Sequence, residues 1–281
     1  MTSSFRLIVL VSLLANATTA FSQSFYAIRR ERSLIGYVGV GSATYFGELS
    51  PARNSLTPAK FGANVGLEHF ITNRISARAE ATWFQISGSD KGMPGREARK
   101  LSFTSNNIEA NLAATVNLLP NGRRFYQRQT INFYGFVGIG FVYINPKTEY
   151  QGQMVALQPL MTEGVKYSKF QPVIPFGGGM KLKMGPFFNL AIEGGMRKTF
   201  TDYLDDVSSA TYPDPATLTS QAARDLSNRS DGHTVKIRGN PETKDWYFMM
   251  NAKIQYYLPY DLSSLRRNKL YTQKRRYNRR R

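Results

Sequence analysis

Between residues 187 and 200 apolar and polar side chains alternate. Phe188, Leu190, Ile192, Met196 and Phe200 fall on one side of an extended strand, with Asn189, Glu193, Arg197 and Thr199 on the other. Residues 246–258 repeat the scheme, setting Trp246, Phe248, Met250, Ala252, Ile254, Tyr256 and Leu258 against Asn251, Lys253 and Gln255. Six more segments read as strands: 34–46, less regular than the rest, then 60–70, 74–86, 102–118, 131–143 and 173–184. The connectors alternate as well. Those at 47–59, 87–101, 144–172 and 201–242 are long, whereas 71–73 and 185–186 are tight and 119–130 is moderate. Together the two alternations predict an all-β fold, an eight-stranded antiparallel transmembrane β-barrel with long extracellular loops. The apolar faces meet lipid and the polar faces line the lumen.

The polar faces carry both signs of charge: Glu68, Arg78, Glu80, Glu109, Lys181, Glu193, Arg197 and Lys253, with Asn111 and Lys183 beside them. Eight closed strands leave an interior just wide enough for side chains. An unpaired charge there would be costly, so these groups are expected to form a paired plug rather than line a pore. Glu193 and Arg197, four apart on one face, are expected to pair with neighbouring strands rather than with each other.

Composition fits this reading. Aromatic residues make up 13% of the 281 and glycine contributes 23, which suits interfacial girdles and close backbone approach. The mean hydropathy of −0.36 does not oppose a membrane barrel, because half of each strand faces a polar lumen. Beyond the N-terminus no apolar run is long enough for a transmembrane helix. Arg6, the apolar stretch 7–15 and small residues at 17–20 and 22 predict a secretory signal over 1–22, with cleavage after Ala20 or Ser22. A periplasmic segment 23–32, the barrel 33–258 and a basic periplasmic tail 259–281 follow. Cysteine is absent, which removes disulfides, thiolate metal sites and thiol nucleophiles.

The net charge of +18 is concentrated at the C-terminus, where Arg266, Arg267, Lys269, Lys274, Arg275, Arg276, Arg279, Arg280 and Arg281 follow the last acid, Asp261. Such a run is a solvated tail or a contact for an anionic partner. For an exported barrel that partner is lipid phosphate, cell wall or an acidic periplasmic protein, and not nucleic acid.

Asp202, Tyr203, Asp205 and Asp206 form a loop motif just after a strand. Its spacing matches no established calcium loop. The carboxylates are therefore expected to cap the loop, with Arg197 and Lys198 as salt partners and no metal or other cofactor. Asp214-Pro215 predicts a helix over 216–226. His69 lies near a strand end, and Ser230, Asp231 and His233 share a flexible loop, a poor basis for a catalytic triad. The expectation is a protein that is not an enzyme; a lipid-modifying barrel is the contrary reading. Gly177-Gly178-Gly179 lies mid-strand without a phosphate-loop context, and is expected to let a strand bend or a bulky lumen side chain pass.

Tyr45-Phe46-Gly47-Glu48-Leu49, Leu101-Ser102-Phe103, Asn106-Asn107-Ile108-Glu109 and Pro175-Phe176-Gly177-Gly178-Gly179 also form a set of short motifs. The most specific is the run from Arg197 to Val207, RKTFTDYLDDV. Over about residues 33–258 the chain resembles the Bacteroidota outer-membrane barrel family that includes the PorG-type component of the type IX secretion system. The resemblance implies an outer-membrane location and an accessory role beside periplasmic secretion-machine proteins. It carries over no catalytic residue. The competing reading is a stand-alone structural barrel that binds cell wall or an external ligand through its loops.

Overall fold

The computed structural model describes residues 31–50, 59–93, 95–122, 124–230 and 237–260. The signal 1–22, most of the segment 23–32, the pair Asp231 and His233, and all nine bases of the tail lie outside the described residues.

Eight strands form the wall: β1 (Leu34–Phe46), β2 (Lys60–Phe70), β3 (Ile75–Ser89), β4 (Ser102–Asn117), β5 (Ile131–Tyr143), β8 (Phe170–Met184), β9 (Phe188–Thr199) and β10 (Trp246–Tyr257). Every neighbouring pair is antiparallel. Pairing of β3 with β4, and of β1 with β10, closes the ring in the order β1-β2-β3-β4-β5-β8-β9-β10. The wall strands run from 11 to 16 residues, against the ~9–11 that a tilted strand needs to cross a bilayer. They therefore project beyond the hydrocarbon at the long-loop end. Two strands are longer than their sequence pattern suggested. β3 continues to Ser89 and β8 starts at Phe170, because their ends pair with Ser102 and Tyr143 in the projecting part of the sheet.

Parity is as the alternation predicted. Val38, Val65, Trp83, Leu112, Ile139, Phe176, Ile192 and Ile254, one from each strand, are exposed, while the residues between them are mostly buried. An exposed apolar belt around a polar interior inverts the arrangement of a water-soluble protein and defines a membrane barrel.

Connector 144–172 is not the plain loop its sequence suggested. It contains a hairpin of β6 (Pro146–Tyr150) and β7 (Gln153–Ala156), and β6 extends the wall by pairing with β4 at Thr104 and Ser105. Gln151 and Gly152 both take positive φ, 49° and 77°, which gives the two-residue turn the twist that hairpins favour. Glutamine in the first of those positions is an uncommon signal. The helix expected over 216–226 is also interrupted. Asp214 accepts from Ala216 N at 2.9 Å but caps only a short 3-10 turn at Pro215–Thr217, and Ser220 restarts the chain as α1 (Gln221–Ser227). Ser220 wins because its hydroxyl accepts from Ala223 N at 3.1 Å, a second N-cap inside the expected helix.

Three storeys fill the lumen. At the short-turn end Ile35, Phe125, Phe187 and Tyr257 make an aromatic floor. Arg32 lies over Phe187, and Arg128 donates to the carbonyls of Gly185, Pro186 and Phe188. The ionic layer stands above it. At the long-loop end an apolar layer, including Tyr45, Phe84, Phe103, Val142, Tyr247 and Met249, continues into the loops through Leu49, Leu204 and Leu226.

Candidate functional site: the ionic lumen and the acidic rim

All eight charged residues expected in the lumen are there and buried: Glu68, Glu80, Glu109 and Glu193 against Arg78, Lys181, Arg197 and Lys253, four of each sign. Most of the ion pairs cross the lumen. Arg78 on β3 donates to Glu193 on β9 at 2.7 Å, and Lys181 on β8 to Glu68 on β2 at 2.7 Å. Both pairs join strands four places apart in a ring of eight, so each spans the diameter. Lys253 bridges Glu193 at 2.5 Å and Glu80, while Arg197 stands 3.7 Å from Glu109. Glu193 and Arg197 are thus not paired with each other, as expected. Lys253 comes from the adjacent strand β10, whereas Arg78 on β3 and Glu109 on β4 reach across, because in so narrow a barrel the far wall is within reach of a long side chain.

Phenols and amides fill the remaining acceptor positions. Tyr37 donates to Glu80 at 2.9 Å, Tyr134 to Glu193 at 2.7 Å, and Tyr247 to Glu109 at 2.7 Å. Asn111 donates to Glu109, and Ser76 and Gln255 to Glu68. Lys183 sits lower, at the rim, donating to Tyr126 O at 2.8 Å. Gly177 and Gly195 have the passing role expected of strand glycines. A Cβ would stand 3.0 Å from Phe136 Cζ at Gly177 and 2.7 Å at Gly195. Phe136 thus occupies space the glycines leave, and the Arg78 guanidinium lies 4.5 Å from its ring centroid.

The loop motif keeps one part of its sequence reading and loses the other: Asp205 caps the loop by accepting from Val207 N at 2.9 Å, but the expected salt partners are elsewhere. Arg197 turns into the lumen and Lys198 lies 5.7 Å over the Trp246 ring, so neither pairs with the aspartates. The two bases point to opposite faces because they are consecutive on a strand. The aspartates separate too. Asp206, at a φ of 67°, accepts from Tyr167 at 2.7 Å and from Thr162. Arg238, Glu163 and the backbone around Ser208 brace it from behind. Asp205 goes the other way. Its Oδ2 lies 2.7 Å from Tyr45 Oη, which is also 2.8 Å from Asp245 Oδ1. Tyr203 stacks on Tyr167 with centroids 4.6 Å apart.

Glu48, Asp205 and Asp245 each present a carboxylate oxygen within 4.8 Å of the other two, and all three are buried. They come from the three rim points where β1 ends, β9 has just left and β10 begins. Burial raises the Asp205 and Asp245 carboxyls well above their usual range; repulsion from Glu48 and Asp202 adds to the first, and from Asp205, Glu48 and Asp202 to the second. Burial also raises Glu48. Asp202, pushed up to about 7 by burial and then by Glu48, is 1% exposed, and neither of its oxygens completes a hydrogen bond. Asp206 is raised to about 6 by burial, with Thr162, Tyr167 and Arg238 opposing the shift.

Sequence reasoning did not single out Glu48 or Asp245 for this rim. Acids immediately flanking strand ends at the long-loop side of β1, β9 and β10, which the topology makes adjacent, were the available signal. His69, at the short-turn end, has Nδ1 3.2 Å from Ser33 O, and the Ser230 hydroxyl donates to Asn228 at 2.5 Å.

Fold and lumen together define the class: a closed eight-stranded antiparallel transmembrane barrel whose interior is filled. No family model matches the chain, and no curated protein matches it. Among solved structures it is similar to Neisserial surface protein A, at 8% identity and a TM-score of 0.44, covering 80% of this chain and 97% of that one. It is also similar to a major outer membrane protein from Thermus thermophilus, at 14% identity and a TM-score of 0.40, covering 80% and 99%. For the outer membrane enzyme PagL the values are 11%, 0.31, 80% and 99%. The fold assignment rests on the closed sheet itself rather than on these likenesses.

Proposed function

We propose that this chain is an outer-membrane barrel, exported by its N-terminal signal, that works as an anchor and interaction scaffold rather than as a pore or an enzyme. The observation that carries this reading is the lumen, in which four acids and four bases pair across the bore between an aromatic floor and an apolar ceiling. A conduction path would have to break buried ion pairs, each strongly destabilising when one partner is lost. Function then resides on the two ends.

The sharper reading is an accessory role beside the type IX secretion machine, supported by the resemblance of the 197–207 run. In the fold that run supplies a lumen charge, Arg197, and rim acids, Asp202, Asp205 and Asp206. Its sequence is thus explained by the barrel's own architecture, and the partner rests on the resemblance alone. Two measurements test the proposal. Planar-bilayer recording is expected to show no large steady conductance; a stable porin-sized channel overturns the scaffold reading. Pull-down from detergent-solubilised membranes is expected to bring periplasmic secretion-machine proteins. Recovery of cell-wall material or no protein partner favours the stand-alone barrel instead.

A further inference from the structure

We propose that Glu48, Asp205 and Asp245, with Asp202 beside them, hold one Ca²⁺ ion at the root of the long loops. Three observations carry this. The first is geometry: the three ligand oxygens lie within 4.8 Å of one another. One cation can therefore touch all three. Mg²⁺ dehydrates reluctantly and keeps several waters, whereas Ca²⁺ accepts a flexible shell of protein oxygens, so a buried set of carboxylates suits calcium. An all-carboxylate set without histidine or cysteine selects a hard cation.

The second is the hydrogen count at Tyr45. Its hydroxyl sits 2.7 Å from Asp205 and 2.8 Å from Asp245, yet a phenol has one hydrogen to donate. One carboxylate must therefore face Tyr45 with a proton of its own or with a cation nearby. Glu48 has only weak neutral partners: its own backbone N–H, with Asn240 N and Thr243 Oγ1 at 3.3 and 3.4 Å.

The third is independent of the trio. Asp202 is buried close by, and neither of its oxygens completes a hydrogen bond; only the Ser208 hydroxyl comes near enough to ease it. Repulsion from Glu48 acts on Asp202, and Asp202 in turn acts on Asp205 and Asp245, so all four share one pocket of potential. Other buried loop acids are answered already: Asp90 is held by Arg99, Glu163 by Arg238, and Asp206 by the hydroxyls of Thr162 and Tyr167. Among the described residues no lysine or arginine forms an ion pair with Glu48, Asp202, Asp205 or Asp245. Lys244 eases Asp202 from a distance, and Arg96, which donates to the Glu48 carbonyl at 2.7 Å, eases the Glu48 carboxylate without pairing with it. A divalent ion would join the end of β1 to both ends of the β9–β10 connector, stapling three adjacent strands where the wall meets its loops.

The test uses the full-length barrel purified in detergent without lipopolysaccharide, stripped with chelator and dialysed. Tb³⁺ serves as a luminescent stand-in for Ca²⁺, with Tyr45 as its sensitiser. The expected result is one Tb³⁺ per chain, displaced by Ca²⁺ at lower concentration than by Mg²⁺, and Ca²⁺-dependent protection of the loops from protease. Glu48→Gln is expected to weaken Ca²⁺ binding at least tenfold in calorimetry and Asp245→Asn to remove it. Asp225→Asn, an exposed acid on α1, is expected to change nothing. Should Asp245→Asn fail to fold, wild type and Glu48→Gln decide the matter. Absence of tyrosine-sensitised luminescence and of calcium heat in wild type overturns the proposal. Binding unaltered by Glu48→Gln overturns it equally.

Discussion

Arg78 and Glu193 reach each other across the full width of the barrel, guanidinium nitrogen to carboxylate oxygen at 2.7 Å, from strands on opposite walls. Glu193 also receives Lys253 and Tyr134, so one carboxylate organises three donors. Replacing it with leucine strands Arg78 in a dry interior and leaves Lys253 with Glu80 alone. Glu193→Leu is expected to destabilise the barrel by about 3–5 kcal/mol, read from urea unfolding in lipid vesicles. The double variant Arg78→Met with Glu193→Leu is expected to lose less than the sum of the single losses.

The lipid face carries the opposite rule. Ile192 lies in the middle third of β9 and points outward, while Phe200 lies just beyond that strand's end, also exposed. Ile192→Arg is expected to cost about 2–4 kcal/mol and Phe200→Arg about 0–1. Vesicle unfolding of both variants checks the depth dependence. Equal costs would move the belt.

The loops hang from a second centre. Arg238 binds Glu163 and the carbonyls of Asp206 and Ser227, and Arg99 donates to its own carbonyl. Arg238→Ala leaves Glu163 buried without its cation while touching no strand. The expected outcome is faster proteolytic cutting within residues 200–245, with heat-modifiable migration of the barrel on gels unchanged.

β10 ends at Tyr257, and the last described tie to the wall is Ser33 N to Tyr260 O. Truncation after Ser263 is expected to leave folding intact and to weaken retention on an anionic surface or acidic partner. That difference should shrink at high salt, since exposed charges are screened beyond about 8–10 Å at physiological ionic strength. Co-sedimentation of both forms at low and high salt measures it.

The period-two pattern made the wall legible. Face, strand count and most boundaries follow from which residues alternate, and all eight lumen charges point inward. Partnership was not legible, because alternation assigns a face but not the strand opposite. That depends on the stagger of the closed ring, and so Lys181 met Glu68 on the far wall rather than a charge on an adjacent strand. The β6–β7 hairpin escaped notice because Gln151-Gly152 is not a common turn pair. The rim was misread for a similar reason. Asp202, Asp205 and Asp206 look like one cluster along the chain, yet the fold sends Asp206 to Thr162 and gives Asp205 one partner from the β1–β2 connector, Glu48, and one from the far end of its own connector, Asp245.

The cross-lumen pairing also sets an order of events. Lys253 arrives on the last strand, 173 residues after Glu80 and 60 after Glu193. Until β10 is in place, Glu68, Glu80, Glu109 and Glu193 face only Arg78, Lys181 and Arg197, and the half-made sheet keeps an unanswered negative charge that holds water against it. Seating β10 against β1 and β9 supplies the final cation in the same step that seals the seam. Drying of the interior and closure of the wall are therefore expected to coincide, because the cation that completes the ionic layer and the strand that closes the sheet are the same segment.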